Sequence, residues 1–178
     1  MPKLEDKCCK IKLFATDVDG VLTDAGMYYS EKGDELKKFS TLDGGGLMLL
    51  QLAGIQTALV TSENTKMVVR RADKLKFDYI LQGSRNKLLR LTELLNKTGI
   101  QFEEVAYIGD DINDLPLLQK VGLSASVPGH CLPSGTVLDY TTTRSGGAGA
   151  VRDFAEWLLK KRNAYNQALT DYLKNLGG

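Results

Sequence analysis

Asp17 and Asp19 stand two residues apart in Asp17-Val18-Asp19-Gly20-Val21-Leu22-Thr23, directly after the apolar run Ile11 to Thr16. Carboxylates held that close repel each other, and only a neighbouring cation or protonation of one of them offsets the repulsion. The pair therefore points to a bound metal, a shifted pKa, or both, with a solvated turn as the alternative. A second acidic cluster, Gly109-Asp110-Asp111-Ile112-Asn113-Asp114, follows another apolar run, Val105 to Ile108. Carboxylates that converge with room for several waters suit a small hard cation such as magnesium. A calcium loop is the competing reading, but the oxygen-ligand spacing of an EF-hand and its closing Glu are absent.

The runs that precede these clusters, and a third from Thr57 to Val60 that leads into Thr61-Ser62-Glu63-Asn64, read as buried strands. Between them, Gly46 to Leu52, Thr65 to Leu75 and Lys87 to Leu95 place apolar residues at helical spacing. Such alternation predicts an α/β fold, a Rossmann-like parallel sheet between helices, with ligands gathered beyond the carboxyl ends of the strands. Both acidic clusters fall at such ends. A single domain over residues 1–178 is expected.

One interruption breaks the alternation. From about residue 26 to 39, two short strand-like segments flank a Lys32-Gly33 turn, which predicts a β-hairpin insert. The tail, about 151 to 176, carries an apolar stripe through Phe154, Trp157, Leu158, Tyr165, Leu169 and Leu173. Val151 to Leu159 is expected to pack on its own sheet. Beyond Lys160-Lys161-Arg162, a partner subunit and partial disorder are equally open, and Gly146-Gly147-Ala148-Gly149 marks a flexible loop ahead of the tail.

Composition narrows the partners. With 178 residues, 43% apolar and 25% charged, the chain reads as an ordinary soluble protein. Its formal net charge of +1 offers no broad attraction to a polyanion, so no nucleic acid is expected. No apolar run approaches a membrane span and the first residues do not resemble a signal peptide, so neither a membrane nor export is expected. Cys8, Cys9 and Cys131 lack metal-ligand spacing or a disulfide framework, which suits a reducing cytoplasm.

Taken together and in order, these segments resemble the four motifs of haloacid dehalogenase superfamily phosphatases: Asp17 to Thr23 the first, Thr61 the second, Lys87 the third and Gly109 to Asp114 the fourth. The resemblance implies that Asp17 attacks phosphorus and becomes an aspartyl-phosphate. It implies that Asp19 protonates the leaving oxygen and then activates water. Magnesium would be held by the Asp17 carboxylate, the Asp19 backbone carbonyl and Asp110. Thr61 and Lys87 would engage the transferring group, Asp114 would orient Lys87 or a metal-bound water, and Asp111 would support the cluster or cap a helix.

Short intervals between the motifs leave room for no cap domain beyond the hairpin, and a lone hairpin should lean on another subunit. This pattern resembles the branch acting on 3-deoxy-D-manno-octulosonate 8-phosphate and on nonulosonate 9-phosphates, which assemble as tetramers. Gly33-Asp34-Glu35-Leu36-Lys37-Lys38-Phe39, Asp43-Gly44, Gln82-Gly83 before Asn86-Lys87, and Gly146-Gly147-x-Gly149-Ala150-Val151-Arg152 carry that resemblance. It implies a small phosphorylated sugar acid as substrate, contacted by Asp43, Gly44, Ser62, Arg85 and Asn86, and a homotetramer with the hairpin at its interfaces. The chain departs from the octulosonate branch at Gly45, where an aromatic residue is usual, and at Ala148, where a basic residue is usual. Arg85, Arg144 and Lys66 are the candidate replacements for the missing charge, and His130 reads as a loop histidine. A nonulosonate 9-phosphate phosphatase and a non-catalytic oligomerisation module of sugar-nucleotide synthesis are the alternatives.

Overall fold

The computed structural model of the protein describes residues 3–33 and 35–177. Its centre is β1 (Leu13–Thr16), buried along its whole length. On one side lie β4 (Gln56–Val60) and then β5 (Tyr79–Leu81). On the other lie β6 (Val105–Ile108), β7 (Leu123–Ser126) and β8 (Tyr140–Thr141), and every pairing in this six-stranded sheet is parallel. Strand order reverses at β1, so the loop after Thr16 opens at the topological switch point, where open α/β sheets bind ligands.

Alternate residues of the central strands feed two cores. Phe14, Leu59, Ala106 and Ile108 pack with Leu47 and Leu50 of α2 (Leu42–Leu52), Val68 and Ala72 of α3 (Lys66–Lys74), and Phe154 and Leu158 of α6 (Ala150–Lys161). Leu13, Ala15, Ala58, Val60, Val105 and Tyr107 pack with Leu91, Leu94 and Leu95 of α4 (Lys87–Thr98) and Leu117 of α5 (Leu115–Leu118). Burying each large apolar side chain contributes about 1.5–3 kcal/mol, so these two layers hold the strand ends rigidly in register.

The hairpin is present as β2 (Tyr28–Tyr29) and β3 (Glu35–Leu36), with Tyr28 opposite Leu36 and Tyr29 opposite Glu35. Asp34 of the motif around it lies outside the described residues. Two-residue strands cannot stand alone, and this pair is tied to its own chain. Lys38 Nζ lies 2.7 Å from Asp24 Oδ2, and Thr23 bridges to Phe39. Tyr28, Tyr29 and Leu36 remain 55%, 72% and 61% exposed.

Two features differ from the sequence expectation. Residues before the sheet form α1 (Leu4–Lys10), anchored by Cys8, and Ile11 closes this helix, so β1 starts at Leu13. The tail is two helices, α6 and α7 (Tyr165–Asn175), separated where Asn163 takes a φ of 57°, the left-handed region that Asn tolerates. The turn folds α7 back onto α2 with Ala168 buried, so the chain beyond Arg162 packs on its own molecule. Among the described residues no helix is long and apolar enough to cross a membrane.

Candidate active site

Thr16 pairs with Leu59 of β4 and with Ile108 of β6, so Asp17, Thr61 and Asp110 emerge together at one edge of the sheet. The Asp17 N–H donates to Ile108 O at 2.9 Å, which fixes the direction of the chain as it leaves the strand. Lys87 reaches this edge from the first turn of α4, whose N-terminus is capped by Asn86 Oδ1 accepting from Leu89 N at 2.9 Å. Although a lysine, it is only 2% exposed. Its ammonium lies 2.9 Å from Asp17 Oδ1 and 2.6 Å from Asp114 Oδ1, and donates to Asn113 Oδ1 at 3.3 Å. Asp114 is fully buried and accepts further donors from the Tyr107 hydroxyl at 2.5 Å and from the Asp110 and Asp111 N–H groups at 3.0 and 3.2 Å.

Asp17, Asp110 and Asp114 bring ligand oxygens within 4.8 Å of one another, and the Lys87 ammonium pairs with two of the three, Asp17 and Asp114. Burial, and then the Asp114 charge, push Asp17 up to about 8 against the pull of Lys87, and the same two causes push Asp110 up to about 6. For Lys87, burial opposes the charged form, but Asp17 and Asp114 outweigh it and raise its pKa. Asp114 is already saturated with donors, whereas the buried Asp110 Oδ1 has no hydrogen-bond partner among the described residues. Gly20, at a φ of 83°, is what lets Asp110 come so close, because a Cβ there would lie 2.0 Å from Asp110 Oδ2. A divalent cation between Asp17 and Asp110 would supply the missing charge, and the donor set, all oxygen, fits a hard metal such as magnesium.

This electrostatic imbalance predicts how stability depends on pH. An acid whose folded pKa is raised binds more protons folded than unfolded, so stability falls as pH rises between the two values. For Asp17 that window runs from its ordinary 3.8 to about 8. In chelator the melting temperature is expected to drop steadily from pH 5 to pH 8, and magnesium is expected to restore most of the loss at the alkaline end. A melting temperature that is flat or rises over this range in chelator would contradict the cluster's charge count.

The remaining predicted positions are distributed unevenly. Thr61 is buried, with its hydroxyl accepting from Glu63 N at 3.2 Å, and the buried Ser62 Oγ beside it has no partner among the described residues. Asp19 is engaged by Lys37, whose ammonium donates to both of its oxygens at 2.8 Å. Asp111 caps the short turn Ile112–Asp114, its Oδ1 accepting from Ile112 N at 2.7 Å. Arg85, Arg144 and Lys66 are exposed. His130 Nδ1 accepts from Leu132 N within its own loop.

Asp43 is not part of the carboxylate cluster. It is fully buried, and its Oδ1 accepts from Arg152 N at 3.1 Å, so it caps the start of α6; burial pushes it up to about 6 against the lowering effect of the Arg152 and Val151 N–H groups. Gly44 packs toward Leu75. The glycine-rich loop ahead of α6 lies against the loop after β1: Gly147 N donates to Val21 O at 3.1 Å, and a Cβ on Gly146 would sit 1.9 Å from Gly20 O.

Sequence reasoning missed Tyr107, Lys37, Glu63 and Asn113. Tyr107 reads as one more apolar strand residue, and its alternation with Val105 hides the hydroxyl that reaches Asp114. Glu63 and Lys37 carry a weak signal in retrospect, opposite charges placed beside the second motif and within the hairpin motif.

Comparison with known proteins fits this geometry. Residues 31–122 match the haloacid dehalogenase-like hydrolase family. The chain is 39% identical over 168 residues to 3-deoxy-D-manno-octulosonate 8-phosphate phosphatase KdsC of Salmonella typhimurium, across 94% of this chain and 89% of that one. It is equally identical over 163 residues to KdsC of Escherichia coli K12, across 91% and 86% of the two chains. The crystal structure of 3-deoxy-D-manno-octulosonate 8-phosphate phosphatase from Moraxella catarrhalis, in complex with magnesium ion, phosphate ion and KDO, superposes with a TM-score of 0.90 at 41% identity, covering 95% of this chain and 97% of that one. The cobalt-bound enzyme from Haemophilus influenzae gives 0.85 at 31% identity, covering 92% and 99%. Identity of this degree over nine-tenths of the chain, on a shared fold, makes the protein a member of the haloacid dehalogenase-like hydrolase family and a phosphoric monoester hydrolase within it.

Proposed function

We propose that the chain works as one domain that hydrolyses 3-deoxy-D-manno-octulosonate 8-phosphate, with magnesium as cofactor and Asp17 as nucleophile. The observation that carries this reading is the buried arrangement of Asp17, Lys87 and Asp114 at the switch point of the sheet, with an Asp110 oxygen beside it that has no partner among the described residues. Bound by the Asp17 carboxylate, the Asp19 carbonyl and Asp110, the metal would offset negative charge at the phosphoryl oxygens and keep Asp17 ionised at neutral pH.

The chain's own residues do the rest. An Asp17 oxygen forms a bond to phosphorus as the bond to the sugar oxygen breaks, and Asp19 gives that oxygen its proton. Asp19, now a carboxylate, takes a proton from the water that attacks phosphorus, and inorganic phosphate leaves as Asp17 is regenerated. Lys87 and Thr61 donate to the phosphoryl oxygens, and Asp114, fixed by Tyr107 and two backbone N–H groups, keeps the Lys87 ammonium in place. We further read the protein as a cytoplasmic homotetramer that joins through the exposed Tyr28, Tyr29 and Leu36 of the hairpin, with Cys8, Cys9 and Cys131 as free thiols; its mass in solution tests the assembly.

The test is phosphate release from a panel of sugar phosphates with and without a carboxylate, in magnesium and in chelator. A charge-assisted hydrogen bond is worth about 1.5–3 kcal/mol, so octulosonate 8-phosphate is expected to exceed its carboxylate-free counterparts in kcat/KM by roughly 10- to 100-fold. Equal efficiency on neutral sugar phosphates would remove the sugar acid from the assignment. Gly45 and Ala148, where the octulosonate branch carries an aromatic and a basic residue, are the reason to run nonulosonate 9-phosphates beside it, and higher efficiency there would transfer the assignment to them. Absence of turnover on every ester would leave an oligomerisation module.

A further inference from the structure

The most unusual cation outside the Lys87 cluster belongs to the hairpin. Strand alternation along Leu36-Lys37-Lys38-Phe39 turns Leu36 and Lys38 outward, where their side chains are largely exposed, and turns Lys37 and Phe39 toward the molecule. The Lys37 side chain is completely shielded from solvent. Its ammonium reaches both oxygens of Asp19 at 2.8 Å and also holds Glu63 Oε2, which follows Thr61 by two residues. Thr23 Oγ1 adds a weaker bond to Asp19 Oδ1 at 3.2 Å. Three segments distant in sequence, the loop after β1, the loop after β4 and the hairpin, are thereby joined at one nitrogen.

We propose that Lys37 is a positioning residue for the reaction: from the end of β3 it sets the orientation of the Asp19 carboxyl, and Glu63 holds the ammonium where it can do so. The proposal rests on the reading of Asp19 as the acid and base. A carboxyl bound through both oxygens has one orientation, whereas a carboxyl on a glycine-flanked loop has several, and proton transfer to a leaving oxygen demands a defined one. The hairpin thus serves its own chain's site.

Two esters separate this role from a structural one. Cleavage of octulosonate 8-phosphate expels a strongly basic alkoxide that needs a proton, whereas p-nitrophenyl phosphate expels a phenolate that needs little help. Lys37→Met, which keeps the length of the stem, is expected to lower kcat on the alkyl ester by about 100-fold with KM within about twofold, and to slow the p-nitrophenolate burst by less than about threefold. Glu63→Gln should reproduce part of the same pattern, and Lys37→Arg should recover about tenfold of the lost kcat. On an Asp19→Asn background, Lys37→Met should produce no further fall.

An equal fall on both esters, a rise confined to KM, or full additivity with Asp19→Asn would overturn the role assigned to Lys37. Should Asp19→Asn itself turn over the alkyl ester at the wild-type rate, the acid and base role of Asp19 falls, and the Lys37 role with it. That failure is visible in the single variant before any Lys37 variant is measured.

Discussion

Replacing Asp17 by Asn is expected to slow phosphate release by at least about ten-thousandfold while leaving the protein folded. The amide has the shape of the carboxylate and can still accept from Lys87 through its Oδ1, but it has no anionic oxygen with which to attack phosphorus. Packing is therefore preserved and the chemistry is not. Stability should even improve above neutral pH, because the substitution removes one carboxylate from a cluster of three in which only Asp17 and Asp114 pair with the Lys87 ammonium. The expected signature is an unchanged or raised melting temperature in chelator, combined with absence of the acid-stable phosphoryl adduct that the proposed mechanism predicts on the wild-type chain after brief exposure to substrate. Retention of more than about one-hundredth of wild-type turnover would show that another group attacks phosphorus, a far smaller loss than removal of a nucleophile produces.

How much of this was readable in the chain depends on where each residue's partners lie. The strands β1, β4 and β6 are legible as apolar runs because central parallel strands are buried on both faces. The outer strands β5, β7 and β8 are short and carry Tyr79, Ser124, Ser126 and Thr141, so nothing in their composition separates them from loops. Asp17 and Asp110 were legible for a topological reason: in a parallel sheet every strand runs the same way, so residues that follow strands must meet at one edge; Lys87, which follows the short β5, was reached only through its resemblance to the third motif. Burial of a polar side chain is a different matter. Lys37 and Lys38 are adjacent and identical, yet one side chain is fully shielded and the other 57% exposed, a distinction made by the hairpin folding onto Asp19 and Glu63. Asp43, which the resemblance set against the substrate, is fully buried and caps α6, more than a hundred residues away. The break between α6 and α7 carries neither Gly nor Pro, only Asn163 in a left-handed conformation, so an apolar stripe that ran smoothly in sequence conceals a reversal of the chain.

Lys87 should give the largest combined loss of stability and activity. In the folded protein its ammonium is enclosed by Asp17, Asp114 and Asn113, and the Tyr107 hydroxyl shares the same Asp114 oxygen. Lys87→Met fills the space left by the stem but leaves two buried carboxylates without their cation. Breaking a buried pair from one side costs about 3–5 kcal/mol, which for a chain of this size lowers the melting temperature by on the order of 10 °C. The deficit should grow with pH, since Asp17, whose pKa is raised by burial and then by the Asp114 charge, must ionise without its cation as the pH rises. Magnesium should return part of the stability, because a cation at Asp17 and Asp110 compensates the same charge, but it should not return turnover, because the donor proposed for the phosphoryl group is gone. Melting curves at pH 5 and pH 8, each with and without magnesium, separate the two contributions. Wild-type melting temperatures across all four conditions would mean that Asp17 and Asp114 do not share Lys87 in solution, and the arrangement on which the nucleophile assignment depends would have to be abandoned.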